Sequence, residues 1–179
     1  ILGLKFKISH YSFFQGNRSQ TEELYSKVLE YGGNSENVVD AYCGVGSISL
    51  NLAKVSKQVY GIEVVSEAID NANANKELNG INNVDFILGK VEDKIHDLLK
   101  EHEIDCVVID PPRKGLDIKV IDAIKNTNIN KLVYVSCNPA TLARDLGLLK
   151  DKYEIKDMCL VDMFAYTTGV ETIAVLERR

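Results

Sequence analysis

The sequence predicts an α/β domain on a doubly wound, mostly parallel seven-stranded sheet whose last strand runs antiparallel. Three observations carry this prediction. Short apolar runs alternate with amphipathic stretches from Val38 onward, the pattern of strand–helix units joined by right-handed crossovers. The two final apolar runs have only Asp162 to Gly169 between them, too short for a helical crossover, so they pair antiparallel. The run Leu132-Val133-Tyr134-Val135 gives way to Ser136-Cys137-Asn138-Pro139, a buried strand tip followed at once by a helix start. There Asn is the N-cap and Pro the first helical residue.

Taken in order, Leu4 to Ser9 reads as a short strand, and Arg18 to about Tyr31 as an amphipathic helix behind Asn17. Gly32-Gly33-Asn34-Ser35 is a loop signal. Val38 to Ala41 is the first strand of the repeating pattern, followed by a glycine-containing turn and a helix to about Ala53. Gln58 to Ile62 is a strand, and Ser66 to Asn79 a helix with Ser66 as N-cap and Gly80 as its stop. Val84 to Leu88 and Ile104 to Ile109 are strands, with a helix from Val91 to about Lys100 between them. Asp117 to about Asn126 is helical, Lys131 to Val135 is a strand, and a helix runs from Pro139 to about Lys150. Tyr153 to Val161 and Thr172 to Leu176 are the closing strands.

With 179 residues, one domain with a sizeable core is expected. Residues 1–17 read as the end of an upstream region and 18–179 as the catalytic domain. The first residue is Ile, so the chain reads as a piece of something longer. No apolar stretch approaches the roughly 20 residues of a membrane span, and no signal-peptide pattern is visible, so no membrane partner is expected. Cys43, Cys106, Cys137 and Cys159 match no zinc or disulfide spacing, which predicts no metal and a reduced, cytoplasmic setting. Cys106 and Cys159 read as small buried hydrophobes. A net charge of −5 argues against this domain gripping a long nucleic acid alone. A local basic patch or a further domain would have to supply phosphate contacts.

The candidate chemistry gathers where strands end. Cys137 stands at a strand tip beside a helix N-terminus, whose positive end favours a thiolate. Asp40-Ala41-Tyr42-Cys43-Gly44-Val45-Gly46-Ser47 follows the first strand, and Gly44 and Gly46 let the backbone approach a ligand closely. The third glycine of a dinucleotide fingerprint is replaced by Ser49. Glu63 ends the next strand, where an acid bonds ribose hydroxyls. Together these favour an adenosine-containing ligand. S-adenosyl-L-methionine fits better than a dinucleotide, since it has no pyrophosphate to cradle and its cationic groups suit an acidic rim of Asp40, Glu63 and Asp110. Lys90-Val91-Glu92 would then lie near the adenine.

These residues resemble a known pattern. Parallel strands closing in an antiparallel hairpin resemble the class I methyltransferase sheet. From Phe13 to the C-terminus, the chain resembles the catalytic domain of the RNA uracil-5-methyltransferases, which make 5-methyluridine in ribosomal or transfer RNA. The resemblance rests on Phe13-Phe14-Gln15-Gly16-Asn17, Asp40 to Gly46, Asp110-Pro111-Pro112-Arg113-Lys114-Gly115, Ser136 to Asp145, and Val161-Asp162-Met163-Phe164 through Gly169-Val170-Glu171-Thr172. It implies that Gln15, Tyr42, Ser47, Glu63 and Asp110 contact S-adenosylmethionine, that Cys137 is the nucleophile, and that Glu171 removes a proton. Ser47 departs from the Asn of some relatives. Members usually carry an upstream oligonucleotide-binding barrel, and some an iron–sulfur cluster, which would account for the acidic balance here.

The implied chemistry explains the residue types. C5 of uracil is a poor nucleophile; thiolate addition at C6 activates it, and a base must later remove the C5 proton so that the thiolate can leave. Arg113 follows the two prolines where amino-methylating enzymes carry an aromatic platform, which disfavours nitrogen methylation. Arg113, Lys114 and Arg144 are candidate phosphate contacts to RNA. Phe164 and Tyr166 would stack on an extruded base or simply pack. Two alternatives stay open: a cytosine-5 RNA methyltransferase, and a cofactor-binding module without turnover.

Overall fold

The computed structural model describes residues 1–7, 17–163 and 169–179. Strands and helices alternate as expected: α1 (Arg18–Gly32), β1 (Asn37–Ala41), α2 (Ser47–Leu52), β2 (Gln58–Glu63), α3 (Ser66–Leu78), β3 (Val84–Leu88) and α4 (Val91–Glu101). There follow β4 (Cys106–Ile109), α5 (Ile118–Lys125), β5 (Lys131–Ser136), α6 (Pro139–Leu149), β6 (Tyr153–Asp162) and β7 (Val170–Arg178). The sheet order is β3-β2-β1-β4-β5-β7-β6. The first five strands pair in parallel, and β7 runs antiparallel to both β5 and β6.

Side-chain alternation along the central strands builds two cores. Val107 and Ile109 of β4 join Leu132 and Tyr134 of β5 against Ile95, Ile121 and Leu142 of α4 to α6. Cys106 and Val108 point the other way, with Val133, Val135 and Ile173, against Leu24, Val28 and Leu50 of α1 and α2. A strand covered on both faces has no solvent side, which is why β4 is continuously apolar. Cys106 is the buried hydrophobe expected, its thiol pushed up to about 12 by burial. Cys159 is not: it sits half-exposed because β6 is the edge strand.

Two local expectations are corrected. Leu4 to Lys7 is no strand, because its backbone bonds to a helix face rather than a sheet edge. The Lys5 N–H donates to Asn79 Oδ1 at 2.9 Å and the Lys7 N–H to Asn75 Oδ1 at 2.7 Å, and both side-chain amides donate back to the same residues' carbonyls. The end of that expected strand, Ile8 and Ser9, lies outside the described residues. Ser66 is not the cap of α3: the extended residue is Val65, and it makes no side-chain cap bond. Gly80 follows the helix with φ +63°, as expected of its stop.

Five parallel strands present their C-terminal ends, at Ala41, Glu63, Leu88, Ile109 and Ser136, to one edge, and β7 starts at that edge with Val170. The strand order reverses between β1 and β4, the place where an open α/β sheet leaves a ligand crevice.

Candidate active site

The β5–β7 register brings Cys137 and Glu171 together. Ser136 pairs with Thr172, and the next residue outward on each strand is Cys137 and Glu171. Cys137 is held at a tight turn. The Asn138 N–H donates to Ser136 Oγ at 3.1 Å, and Asn138 Oδ1 caps α6 by accepting from the Ala140 N–H at 3.0 Å. Asn138 Nδ2 and Thr141 Oγ1 both donate to the Arg113 carbonyl at 3.2 Å, which ties the loop after β4 to the cap beside the cysteine.

The Cys137 side chain is exposed. Its thiol is nevertheless held above its ordinary value, first by partial desolvation and then by Glu171 and Asp110, with Arg113 pulling the other way. The helix terminus is therefore not the only influence on the sulfur: desolvation first, then Glu171 and Asp110, work against ionisation. Glu171 is half-buried, and burial raises its carboxyl against the same Arg113. Its Oε2 is buried with no hydrogen-bond partner among the described residues.

Across the crevice, Tyr42 and Gly44 lead from β1 with left-handed backbones, φ +69° and +55°. Among the described residues, a Cβ on Gly44 would meet nothing within 4 Å. Gly46 differs from the expectation of ligand approach. A Cβ there would lie 2.7 Å from Phe86 Cζ and 3.3 Å from Ala72 Cβ, so this glycine serves packing inside the protein. The Glu63 carboxylate closes over the loop, accepting from the N–H groups of Gly44 (3.1 Å), Val64 (2.7 Å) and Val65 (2.9 Å). Ser47 is buried, and its hydroxyl bonds Tyr25 Oη at 2.8 Å.

Of the three acids at the strand ends, Asp40 lies deepest. Asp40 is fully buried; Ser49 Oγ donates to its Oδ2 at 2.5 Å, while Oδ1 has no partner among the described residues. Burial pushes its carboxyl up to about 7. Asp110 is pushed up to about 8, by burial first and then by Glu171 and Asp40. A cationic, adenosine-bearing group suits these features, since it would relieve the repulsion among the acids and occupy the space at Gly44.

Of the basic candidates, Arg113 is exposed and is the cation acting on both Cys137 and Glu171. Arg144 is engaged within the protein. Its guanidinium pairs with Asp145 Oδ1 at 2.7 Å and donates to the carbonyls of Lys114 (3.1 Å) and Leu116 (3.2 Å). Gln15, Phe164 and Tyr166 lie outside the described residues.

Two residues near the site were not singled out by sequence. Tyr25 lies on the buried stripe of α1 with Thr21, Leu24 and Val28, and a buried tyrosine hydroxyl needs a partner, which here is Ser47. Asp145 lies on the buried stripe of α6 between Leu142 and Leu149. An acid on an apolar stripe is the signal that would have marked it.

The sheet order and the ligand crevice define a class I methyltransferase fold. An N-methyltransferase, NodS from Bradyrhizobium japonicum, superposes with a TM-score of 0.72 over 92% of this chain and 99% of its own, at 15% identity, a likeness of fold alone. The chain belongs to the tRNA (uracil-5-)-methyltransferase family, whose sequence profile matches residues 3–179. It is 50% identical over 182 residues to an uncharacterised RNA methyltransferase of Caldanaerobacter subterraneus, covering 99% of this chain and 40% of that protein. An uncharacterised RNA methyltransferase of Oceanobacillus iheyensis is 51% identical over 178 residues, covering 97% of this chain and 39% of that protein. The chain thus spans about two fifths of the curated relatives it matches. A Pyrococcus abyssi tRNA (uracil-54, C5)-methyltransferase, solved in complex with S-adenosyl-L-homocysteine, superposes with a TM-score of 0.88 at 34% identity, over 97% of this chain and 42% of that one.

Proposed function

We propose that this domain transfers a methyl group from S-adenosylmethionine to C5 of a uridine in RNA, with Cys137 as nucleophile and Glu171 as base. The observation that carries the reading is an exposed cysteine and an acid acting on it, each one residue beyond the last β5–β7 pair at the C-terminal edge of the sheet. The family and the Pyrococcus abyssi relative support uracil C5 as the target.

S-adenosylmethionine supplies an electrophilic methyl and a positive charge. Glu63 and Gly44 would hold its ribose side, with Tyr42, Gly46 and Ser47 shaping the loop and Asp40 and Asp110 facing its cationic groups; Gln15 is carried as a further contact. Cys137 Sγ, in the thiolate form that Arg113 favours, adds to C6 of the base, forming an S–C bond while the C5=C6 electrons move to an enolate. C5 takes the methyl as the donor's sulfonium–methyl bond breaks, leaving S-adenosylhomocysteine. Glu171 accepts the C5 proton, the C5=C6 bond reforms, and the S–C bond breaks to release the thiolate. The raised carboxyl of Glu171 suits a proton acceptor. Arg113 favours the charged form of both residues and, exposed beside them, is the better of the two arginines for a phosphate contact.

Digestion of RNA methylated by the protein, followed by mass analysis of nucleosides, tests the reading. 5-Methyluridine is expected. 5-Methylcytidine would support the cytosine alternative, and donor binding without any methylated nucleoside would support a binding module.

A further inference from the structure

The site's basic residue, Arg113, is carried on a loop that crosses 110–117 between β4 and α5, and a buried cluster below the site holds that loop. Asp145, with no exposed surface, is its centre. Its Oδ2 accepts from the Leu116 N–H at 2.8 Å and from Tyr134 Oη at 2.7 Å. Its Oδ1 accepts from Arg144 Nε at 2.8 Å, and Arg144 in turn reaches the Lys114 and Leu116 carbonyls. Gly115 admits this packing only without a side chain: a Cβ there would lie 2.6 Å from both Arg144 Nη2 and Asp145 Oδ2, and its φ is +76°. One carboxylate therefore joins β5, α6 and the loop.

We propose that Asp145 is a positioning residue that, through Leu116, Tyr134 and Arg144, fixes the 110–117 loop so that Arg113 stands beside Cys137 and Glu171. The inference rests on the proposed roles of those two residues. Arg113 is anchored from above as well, by Asn138 and Thr141 on its carbonyl, and the loop has a turn bond from the Gly115 N–H to the Pro112 carbonyl at 2.9 Å; Asp145 is what ties its far end, at Leu116, to β5 and α6. A buried carboxylate with three donors is costly to disturb and so holds its partners in one geometry. The groups facing Cys137 are Glu171 from β7, Asp110 and Arg113 from the loop, and its own backbone; Asp145 does not act on it directly.

The sign of the effect separates positioning from simple charge loss. Removing a negative charge would, if anything, lower the pH at which Cys137 ionises. Displacing Arg113 raises it. The test is the pH dependence of Cys137 alkylation by iodoacetamide, read by peptide mass analysis, which needs neither RNA nor turnover. Asp145→Asn is expected to move the midpoint upward by about half a pH unit, a roughly threefold slower reaction at fixed pH below it. Tyr134→Phe, a milder change that keeps the core filled, moves it the same way by less. Arg113→Gln alone gives the same upward shift, and adding Asp145→Asn to it gives no more. S-adenosylhomocysteine binding reports whether each variant is folded. An unchanged or lowered midpoint in folded Tyr134→Phe and Asp145→Asn overturns the proposal, as does a shift that adds to that of Arg113→Gln. If the proposed uridine chemistry fails instead, the alkylation shifts still stand or fall on their own.

Discussion

Cys137 and Glu171 each stand one residue beyond the last β5–β7 pair, Ser136 and Thr172, and Glu171 acts on the Cys137 thiol. One side chain is exposed and the other half-buried with an unbonded oxygen. In the proposed reaction the nucleophile must meet an RNA base and the proton acceptor a carbon-bound proton, and these two degrees of access suit those roles.

Glu171→Gln is expected to stop the reaction after methyl transfer, because the amide cannot take the C5 proton. A methylated RNA–protein adduct should then survive denaturing electrophoresis. Normal turnover in this variant would assign the proton to another group.

Glycines 44 and 46 should fail differently when changed to alanine. Gly46→Ala meets Phe86 at 2.7 Å in a left-handed backbone, so it should cost about 2–5 kcal/mol of stability. Gly44→Ala has open space and should cost only about 1–2 kcal/mol for its positive φ, while the added methyl weakens donor binding. Urea unfolding and calorimetric titration separate them; equal loss of stability would contradict the assigned roles.

Asp40 and Asp110 make stability depend on pH. Each carboxyl has an ordinary value of 3.8 and titrates near 7 and 8 in the folded chain. The folded state thus holds these protons longer than the unfolded state. Stability from this source is greatest below about pH 4 and is lost as pH climbs through 7 to 8. Asp40→Asn should flatten the fall between about pH 4 and about pH 7 in urea unfolding. A cationic donor favours the ionised acids, so its affinity should rise over the same range. Affinity falling with pH would contradict the acidic rim as its site.

Glu63→Ala removes a carboxylate that accepts three backbone N–H bonds and is proposed to meet the ribose. At about 1.5–3 kcal/mol for a hydrogen bond to a charged group, donor affinity should fall about tenfold to a hundredfold. Unchanged affinity in calorimetry would place the ribose elsewhere.

Much of this was legible in the residues. Alternating apolar runs specify the parallel order because a strand covered on both faces, such as Cys106 to Ile109, has no polar side to confuse the period. Asn138-Pro139 marks the cap beside Cys137 because its physics is local. What escaped depends on distant partners. Leu4 to Lys7 has the period of a strand, but its ladder is formed by Asn75 and Asn79 of a helix. Gly46 looks like a ligand glycine until Phe86, from another strand, is seen packed against it. The protonation of Cys137 could not be read from its helix alone, since partial desolvation, Glu171 from β7 and Asp110 from the loop after β4 all act on it. Asp145 draws its meaning from Leu116, Tyr134 and Arg144, which only the fold assembles.

The most direct measurement is covalent trapping on RNA containing 5-fluorouridine, since fluorine at C5 cannot leave as a proton. With S-adenosylmethionine present, the protein should form a methylated adduct stable to denaturation, joined to the RNA through Cys137, and Cys137→Ala should form none. An adduct on another residue, or one that persists in Cys137→Ala, would contradict the account.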